Sequence, residues 1–282
     1  MEFTVKIWNK ETGFILLNLK QPSGVTDLSF SPDGKYIAVA SYDEKVRLWK
    51  FPEGIMLKEF TGHKGTVWSV SFSPNGKTFA SSGEDATIKL WDVESGALIR
   101  TLQGHTLNVW DVKFSPDGTT IASGSFDHTI KTWDASGGEN IRTLTGHSQA
   151  IVALAFSHNG KILASTSDDR SIKLWNTSDW SLRKTLTVAE HTQAVDFSPD
   201  DKMLLTAGRD KPMVGEFLQN FFGDSKLNKG VSMRLWDMYT YKLLQTFSEH
   251  ANDVNDVSFS PDGKWIASAS SDKTIELWKL SK

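Results

Sequence analysis

The chain has 282 residues, no cysteine and a formal net charge of −3. Without cysteine it has no disulfide framework, no thiolate metal site and no cysteine nucleophile. No block of like charge stands out, so neither nucleic acid nor a membrane surface is an expected partner. The opening segment lacks a secretory apolar core, and the longest apolar run, residues 150–156, is too short to span a bilayer. We therefore expect a soluble, cytoplasmic protein.

Tryptophan recurs at a nearly fixed interval from the start of the chain. The interval is 42 residues, except for 41 after the first member, and the series is Trp8, Trp49, Trp91, Trp133, Trp175 and, after an interruption, Trp236 and Trp278. A period of about 40 to 45 residues, built from short apolar runs and Gly-rich turns, is typical of a β-propeller with one four-stranded blade per repeat. We interpret residues 1–282 as a single domain of this kind.

The repeat around Trp133 shows the predicted elements in their order. Residues 108–114 alternate apolar and polar side chains, which predicts a strand, here called a. The SPDG turn at 115–118 follows, with Gly118 free to adopt the left-handed conformation that closes a tight hairpin. Short runs rich in Ile, Thr and Leu then predict strands b, c and d. At Ser198 this turn becomes SPDD, which places Asp201 where glycine is expected, with some backbone strain.

The numbers of predicted strands do not match across the chain. Six runs fit strand a and end at a phenylalanine, but seven fit strand c and end at a tryptophan. The first c and d strands, residues 4–8 and 13–19, have no a or b before them, and the last repeat stops after c. The sequence predicts either six complete blades with a spare strand or seven blades of which the first is incomplete. It also raises the possibility that the chain is a fragment of a longer protein.

One repeat carries an insertion. The spacing from the turn aspartate to the tryptophan is six residues in the complete repeats, but Asp210 precedes Trp236 by 26. The extra residues, 211–230, fall between strands b and c. Val214, Phe217 and Phe221 lie at helical spacing, which predicts a short amphipathic helix. Two interpretations stay open: a lid or docking element for a partner, or a patch that covers its own blade.

These repeats resemble the WD-repeat family of β-propellers. The resemblance rests on several in-phase copies of the unit GH, strand a, SPDG, strand b and Trp-Asp, and it covers residues 3–279. It implies an all-β propeller of four-stranded antiparallel blades. It says little about which partner is bound, because one fold hosts many functions.

The resemblance also implies a hydrogen-bonded set of His, Ser, Asp and Trp that locks a blade. Matched onto this sequence, three sets look complete: His105, Ser125, Asp127 and Trp133; His147, Ser167, Asp169 and Trp175; and His250, Ser270, Asp272 and Trp278. The blade of Trp91 has Gly83 at the expected hydroxyl, and the blade of Trp49 has no histidine. The blade of Trp236 departs most and is expected to be the least rigid. Because the trio recurs in phase, we interpret it as structural and not as a hydrolase triad.

Partners are expected on the face that carries the d-to-a loops and the b-to-c turns. Four aromatic residues fall at solvent-facing positions there, on consecutive blades: Tyr42, Trp68, Trp110 and Phe126. Clustered aromatic residues are typical of interaction hot spots. The full set predicted to contact a partner is Tyr42, Trp68, Trp110, Phe126, Val152, Arg209, Phe217 and Phe221. The alternative is that these rings pack on one another only to fill space.

The sequence therefore favours a non-enzymatic scaffold that binds a protein or peptide. The alternative is a sensor or regulatory propeller within a larger multidomain protein. An enzyme that uses the polar cluster Asp168, His191, Arg209 and Asp253 is a third, weaker interpretation, because this cluster has no recognisable mechanism. Neither a cofactor nor a metal is expected, since the seven histidines are spread over separate repeats. The sequence leaves the oligomeric state open.

Overall fold

The computed structural model describes residues 2–208 and 233–280. Arg209, Phe217 and Phe221, the insertion 211–230 and its predicted helix lie outside the described residues. The chain divides into two compact units, Met1–Gly146 and His147–Lys282. The interpretation of 1–282 as one domain therefore stays a prediction.

The described residues fold into 25 strands arranged in seven sheets, numbered here in chain order. The first unit contains sheet 1, of β1 (Phe3–Trp8) and β2 (Ile15–Gln21); sheet 2, of β3 (Val25–Phe30), β4 (Tyr36–Ser41), β5 (Lys45–Lys50) and β6 (Ile55–Thr61); sheet 3, of β7 (Val67–Phe72), β8 (Thr78–Gly83), β9 (Thr87–Asp92) and β10 (Leu98–Gln103); and sheet 4, of β11 (Val109–Phe114), β12 (Thr120–Ser125), β13 (Ile130–Asp134) and β14 (Asn140–Leu144). Every pairing in it joins strands that are consecutive in the chain and antiparallel.

The second unit contains three sheets with the same strand order. They are sheet 5, of β15 (Ile151–Phe156), β16 (Ile162–Ser167), β17 (Ser171–Asn176) and β18 (Leu182–Thr187); sheet 6, of β19 (Thr192–Phe197), β20 (Met203–Gly208), β21 (Met233–Asp237) and β22 (Leu243–Phe247); and sheet 7, of β23 (Val254–Phe259), β24 (Trp265–Ser270) and β25 (Ile275–Lys279). The predicted a–b–c–d meander is thus confirmed. No helix among the described residues has the length and apolar character needed to cross a membrane.

The uneven strand count appears directly in the sheets. Six sheets begin with a strand of type a, whereas sheet 1 consists only of a c strand, β1, and a d strand, β2. Sheet 7 ends after its c strand, β25. The described residues thus form six sheets that begin with a strand of type a, plus a separate two-stranded sheet at the N-terminus.

The a-to-b turns adopt the geometry that the sequence predicts. Gly118 has a φ of 73°, and Ser115 Oγ both donates to Asp117 Oδ1 and accepts the N–H of Thr120. Asp201 takes the same left-handed conformation at φ 59°, as predicted. Its carboxylate accepts the backbone N–H groups of His158 and Asn159 in the neighbouring turn, at 2.6 and 2.9 Å. These two charge-assisted bonds offset the strain of a non-glycine residue at positive φ.

Apolar side chains from adjacent sheets form the core. Between sheets 2 and 3, Ala38 and Ala40 of β4 belong to the same buried cluster as Val70 and Phe72 of β7. The small residues on strand b leave room for the larger ones on the next strand a, so the two layers interdigitate. Strand β7 is therefore covered by β4, the strand b that precedes it in the chain.

Candidate functional site

A β-bulge near the start of each strand a directs one side chain away from the sheet ladder. In sheet 3 the register shifts between Val67 and Ser69, which leaves Trp68 between two paired positions. The same shift in sheet 4 falls between Val109 and Asp111 and leaves Trp110 there. A bulge re-aims the side chain that it leaves unpaired. This geometry explains why a tryptophan within a strand faces the loop end of the sheet.

In sheets 2 and 4 the d-to-a loop and the b-to-c turn lie at the same end of the sheet, as predicted. Backbone hydrogen bonds join them: the N–H of Tyr42 donates to Gly24 O at 3.0 Å, and the N–H of Phe126 donates to Asn108 O at 3.0 Å. The bulged tryptophans and the turn aromatics therefore share one edge of the first unit.

The four predicted aromatic residues form one continuous row, which we call the aromatic row. Tyr42 meets Trp68 edge to face, with ring centroids 5.8 Å apart. Trp68 stacks on Trp110 at 5.0 Å, and Trp110 stacks on Phe126 at 4.6 Å. Tyr42 is 54% exposed, while the other three rings are half-buried. Three consecutive sheets thus present a connected aromatic surface, and the contacts between its rings hold it in one arrangement.

Of the remaining predicted contact residues, Val152 is the one within the described part of the chain. Val152 lies at the corresponding bulge of β15, between Ile151 and Ala153, in the second unit. Within that unit the polar candidates His191 and Asp168 lie 3.1 Å apart, and both are partly exposed. Arg209 is outside the described residues, so a reactive cluster around this pair stays untested.

The hydrogen-bonded sets of His, Ser, Asp and Trp, called locks here, are present in the structure. The serine in each of them differs from the predicted one, so that part of the prediction is wrong. In sheet 4 the indole N–H of Trp133 donates to Ser123 Oγ at 2.9 Å, and His105 Nε2 lies 2.8 Å from the same oxygen. His105 Nδ1 lies 2.8 Å from the Asp127 carboxylate, as expected. Ser125 instead donates to Leu107 O and accepts the N–H of Asp127. Ser123 and Ser125 share one face of β12, and the pairing with β13 brings only the first beside the indole.

The same correction applies to the other two sets that looked complete. Ser165, not Ser167, accepts the indole N–H of Trp175. Ser268, not Ser270, accepts the indole N–H of Trp278. In each lock the histidine bonds that same serine and the predicted aspartate, as shown by the pairs His147 and Ser165, His147 and Asp169, His250 and Ser268, and His250 and Asp272.

Sheet 3 has a complete lock that the sequence analysis missed. Ser81 accepts the indole N–H of Trp91 at 2.8 Å and lies 2.8 Å from His63 Nε2. His63 Nδ1 lies 3.0 Å from Asp85. The prediction looked for a hydroxyl at Gly83, two residues too far along β8. In sheet 6 the hydroxyl is Thr206, whose Oγ1 accepts the indole N–H of Trp236 at 3.0 Å.

Among the described sheets that contain strands b and c, sheet 2 differs most from the His, Ser, Asp and Trp composition of the lock. Val39 occupies the serine position, and the buried indole nitrogen of Trp49 has no hydrogen-bond partner. Gln21 occupies the histidine position, and its buried amide is likewise unpartnered. Asp43 instead forms an ion pair with the buried side chain of Arg47, which also pairs with Glu59. An ion-pair network thus replaces the lock and leaves polar atoms unsatisfied.

We expect Val39→Thr to stabilise the protein by about 1 kcal/mol, because it supplies an acceptor for a buried donor that has none. Thr206 shows that a threonine fits at this position and accepts an indole N–H. The measurement is the free energy of unfolding from denaturant titration. Val46→Thr, at another fully buried valine of sheet 2, is the matched control and should destabilise the fold. Equal losses for both variants would contradict the expected acceptor role.

The lock of sheet 5 makes stability depend on pH. Burial lowers the pKa of His147, and the Asp169 carboxylate restores it only in part. Burial opposes ionisation of Asp169, but hydrogen bonds from Ser171, the N–H of Ser148 and His147 together hold its pKa below the ordinary value. A neutral imidazole that donates from Nδ1 to Asp169 and accepts the Ser165 hydroxyl proton satisfies all these groups.

We expect the free energy of unfolding to fall as pH drops from about 6.5, the ordinary pKa of histidine. The unfolded chain takes up a proton on His147 below that pH, whereas the folded chain resists it, so acid favours unfolding. Stabilisation by Asp169 is lost in a lower window, below about pH 4. Denaturant titrations at several pH values measure the slope. His147→Gln should reduce it between pH 7 and 5, whereas His128→Gln, in a turn outside any lock, should not. A steeper slope in His147→Gln would contradict this assignment.

The locks do not offer a nucleophile. Ser81, Ser123 and Ser165 are fully buried, and each already accepts an indole N–H. A hydrolase serine must reach its substrate beside an oxyanion hole. Within the described residues no group of three or more His, Cys, Asp or Glu side chains is placed to hold a metal ion.

Comparison with known proteins adds a family match over most of the chain. The sequence model of the WD domain, G-beta repeat, matches residues 14–50, 54–92, 96–134, 138–176, 181–211 and 241–279. Each match that lies wholly within the described residues begins at strand d and continues through a, b and c, so the sequence repeat is offset from the sheet. The offset places every strand d in one repeat with the strand a of the next sheet.

Three curated proteins illustrate the similarity. The chain is 44% identical over 64 residues to the Coronin-like protein of Saccharomyces cerevisiae, which is 23% of this chain and 10% of that protein. It is 31% identical over 101 residues to human WD repeat-containing protein 36, or 36% and 10% of the two chains. It is 47% identical over 55 residues to human WD repeat and SOCS box-containing protein 1, or 19% and 13%. The chain thus matches only about a tenth of each relative's length.

Proposed function

The chain belongs to the WD-repeat family, and from this membership we propose that it is a non-enzymatic scaffold that binds a protein or peptide through the aromatic row. The predicted fold class, an all-β WD-repeat propeller, is confirmed by the family match and the antiparallel sheets. This fold is typical of protein-interaction scaffolds. The binding face and the kind of ligand are the proposal.

The observation that carries the proposal is the continuity of the row. Tyr42, Trp68, Trp110 and Phe126 come from four separate chain segments, yet their rings contact one another in sequence. Exposed aromatic surface costs free energy in water, and large rings at a surface are typical of binding hot spots. The bulges hold Trp68 and Trp110 on a rigid sheet, which lowers the entropy lost on binding.

Space filling alone is a weaker account of the row. A tryptophan that only fills space would be expected among the fully buried side chains, as Trp91 and Trp133 are, each 2% exposed. Tyr42 at one end of the row leaves more than half of its surface open. The row therefore offers a face to a ligand.

The test is to select peptides from a display library on the purified protein and to measure their binding to Trp68→Ala with Trp110→Ala. Loss of binding in this double variant supports the proposal. If the selected peptides bound the double variant as tightly as the unmodified protein, the binding site would lie outside the aromatic row.

A second candidate role is a regulatory domain of a larger protein. It is favoured by the length of the relatives, since the aligned segments make up only 10 to 13% of the three proteins described above. One of those relatives is named for WD repeats together with a SOCS box. Binding through the aromatic row is compatible with either role. The expected cytoplasmic location stays a prediction from the sequence.

A further inference from the structure

A serine hydroxyl connects two aspartate side chains across three neighbouring strands of the first unit. Ser69 Oγ, on β7, lies 2.8 Å from Asp27 Oδ2 on β3 and 2.8 Å from Asp111 Oδ1 on β11. Ser69 and Asp111 are 3% and 6% exposed, and Asp27 is partly buried. The three strands belong to sheets 2, 3 and 4, and none of them pairs with another in a sheet. The three side chains, which we call the carboxylate link, therefore join the first strands of three sheets.

The two contacts of Ser69 require an additional proton. A serine hydroxyl has one proton to donate, and an ionised carboxylate can only accept. If both aspartates were ionised, one contact would bring two oxygen atoms to 2.8 Å with no proton between them. Hydrogen bonds in both places form when one carboxyl group is protonated and donates to Ser69, while Ser69 donates to the other. The geometry of the carboxylate link thus fits one proton on the pair of aspartates.

The surroundings of the two carboxyl groups decide which of them holds this proton. Asp111 Oδ1 accepts the N–H of Val112 at 2.8 Å and lies 3.1 Å from Lys113 Nζ, and both groups stabilise negative charge on that oxygen. Burial has the largest effect on Asp27 and raises its pKa. Lys113 opposes this effect, and the charge of Asp111 adds to it. The proton therefore belongs on Asp27.

The strands packed against β3 contribute few other charges. β7, which carries Ser69, has no ionisable side chain. β4 pairs with β3 and has Tyr36 as its ionisable residue, whereas Asp27 lies opposite Ala40 near the other end of that strand. β1 contributes Lys6, which is exposed to solvent, where salt screens its charge. Asp111 and Lys113 of β11 are thus the charged groups that act most directly on Asp27.

We propose that the carboxylate link is a pH-sensitive connection between sheets 2, 3 and 4. Below the titration midpoint of Asp27 the link holds one proton and both hydrogen bonds. Above that midpoint the proton passes to water, Ser69 donates to one aspartate only, and the two carboxylates repel each other. Ser69 and Asp111 directly follow Trp68 and Trp110, so this change occurs beside the bulges that carry the aromatic row. The connection uses no residue of that row and does not depend on peptide binding.

NMR titration of the side-chain carboxyl carbon of Asp27 tests the proposal. In the unmodified protein the midpoint should lie above about 3.9, the ordinary pKa of aspartate. Asp111→Asn should lower this midpoint, because the repelling charge is gone and the new amide can donate to Ser69, which then donates to ionised Asp27. Asp33→Asn, in the exposed turn of the same sheet, is the matched control and should leave the midpoint unchanged. Asn75 occupies the equivalent turn position in sheet 3.

Asp27→Asn provides a second test, because it mimics the protonated aspartate at every pH. Its amide N–H can donate to Ser69, and its amide oxygen can accept the N–H of Val70 as Asp27 does. The folded protein keeps a proton on Asp27 that the unfolded chain releases above about pH 3.9. The free energy of unfolding of the unmodified protein should therefore fall, relative to that of Asp27→Asn, as pH rises from about 4 through the midpoint. Denaturant titrations of both proteins at each pH measure this difference, in which groups outside the link cancel.

Two results would overturn the proposal. The first is a midpoint for Asp27 at the ordinary value, which would mean that both aspartates ionise together and that Ser69 bonds only one of them. The second is a difference in stability between the unmodified protein and Asp27→Asn that stays constant between about pH 4 and 8. The carbon titration uses the unmodified protein, so it decides the question even if a variant fails to fold.

Discussion

Ser123→Ala should destabilise the protein by about 3 kcal/mol, the cost of leaving two buried polar groups without partners. Ser123 Oγ accepts the indole N–H of Trp133 and bonds His105 Nε2, and its side chain is fully buried. Water cannot replace either bond at a site without solvent access. The measurement is the free energy of unfolding from denaturant titration. The indole N–H proton resonance of Trp133 should also shift in the NMR spectrum.

Ser125→Ala is the matched control for this prediction. Ser125 is equally buried and lies two residues away on the same strand, but it bonds Leu107 O and the N–H of Asp127. Its loss should cost about 1 kcal/mol, as for a single ordinary hydrogen-bonding group. The Trp133 indole resonance should stay in place. If Ser125→Ala moved that resonance and Ser123→Ala did not, the lock would have the composition first expected from the sequence.

The sequence did not identify the serine of the lock, although it identified the other three residues. Matching the WD repeat onto the sequence correctly placed the histidine, aspartate and tryptophan of three sheets, because each of them recurs at the same phase in those repeats. Strand b offers hydroxyls at two positions, Ser123 and Ser125 in sheet 4, and both side chains point to the same face. Only the pairing of β12 with β13 decides between them. In sheet 3 the same error hides a complete lock, because the prediction places the hydroxyl at Gly83 and the structure has it at Ser81.

The positions of the residues in the aromatic row could be predicted from the sequence, but the β-bulges that orient their side chains could not. Repeat phase placed Trp68 and Trp110 at solvent-facing positions, and the structure brings their rings together. The bulge that re-aims them depends on pairing between strands and leaves no simple pattern in one sequence.

Removal of the row should abolish ligand binding with little loss of stability. Trp68 lies between Tyr42 and Trp110, so Trp68→Ala removes a central anchor and should cost about 2 kcal/mol or more of binding free energy. Trp110→Ala should act similarly, because its ring stacks on both Trp68 and Phe126. Since the two rings support one another, the double variant should lose less than the sum of the single losses. Binding of a selected peptide, measured by calorimetry for the four proteins of this cycle, gives the coupling.

The effect on stability separates a binding surface from packing. Each aromatic pair contributes about 1 kcal/mol beyond area burial. The Trp68 indole nitrogen is buried without a hydrogen-bond partner, and deleting it removes a cost of similar size. The melting temperature of Trp68→Ala should therefore change little. Trp180→Ala, in the turn between β17 and β18, is the control that should bind normally. A large drop in melting temperature with unchanged peptide affinity would show that the rings only fill space. Loss of a packing contact lowers the stability of the folded protein, whereas loss of a binding contact lowers the affinity for the peptide.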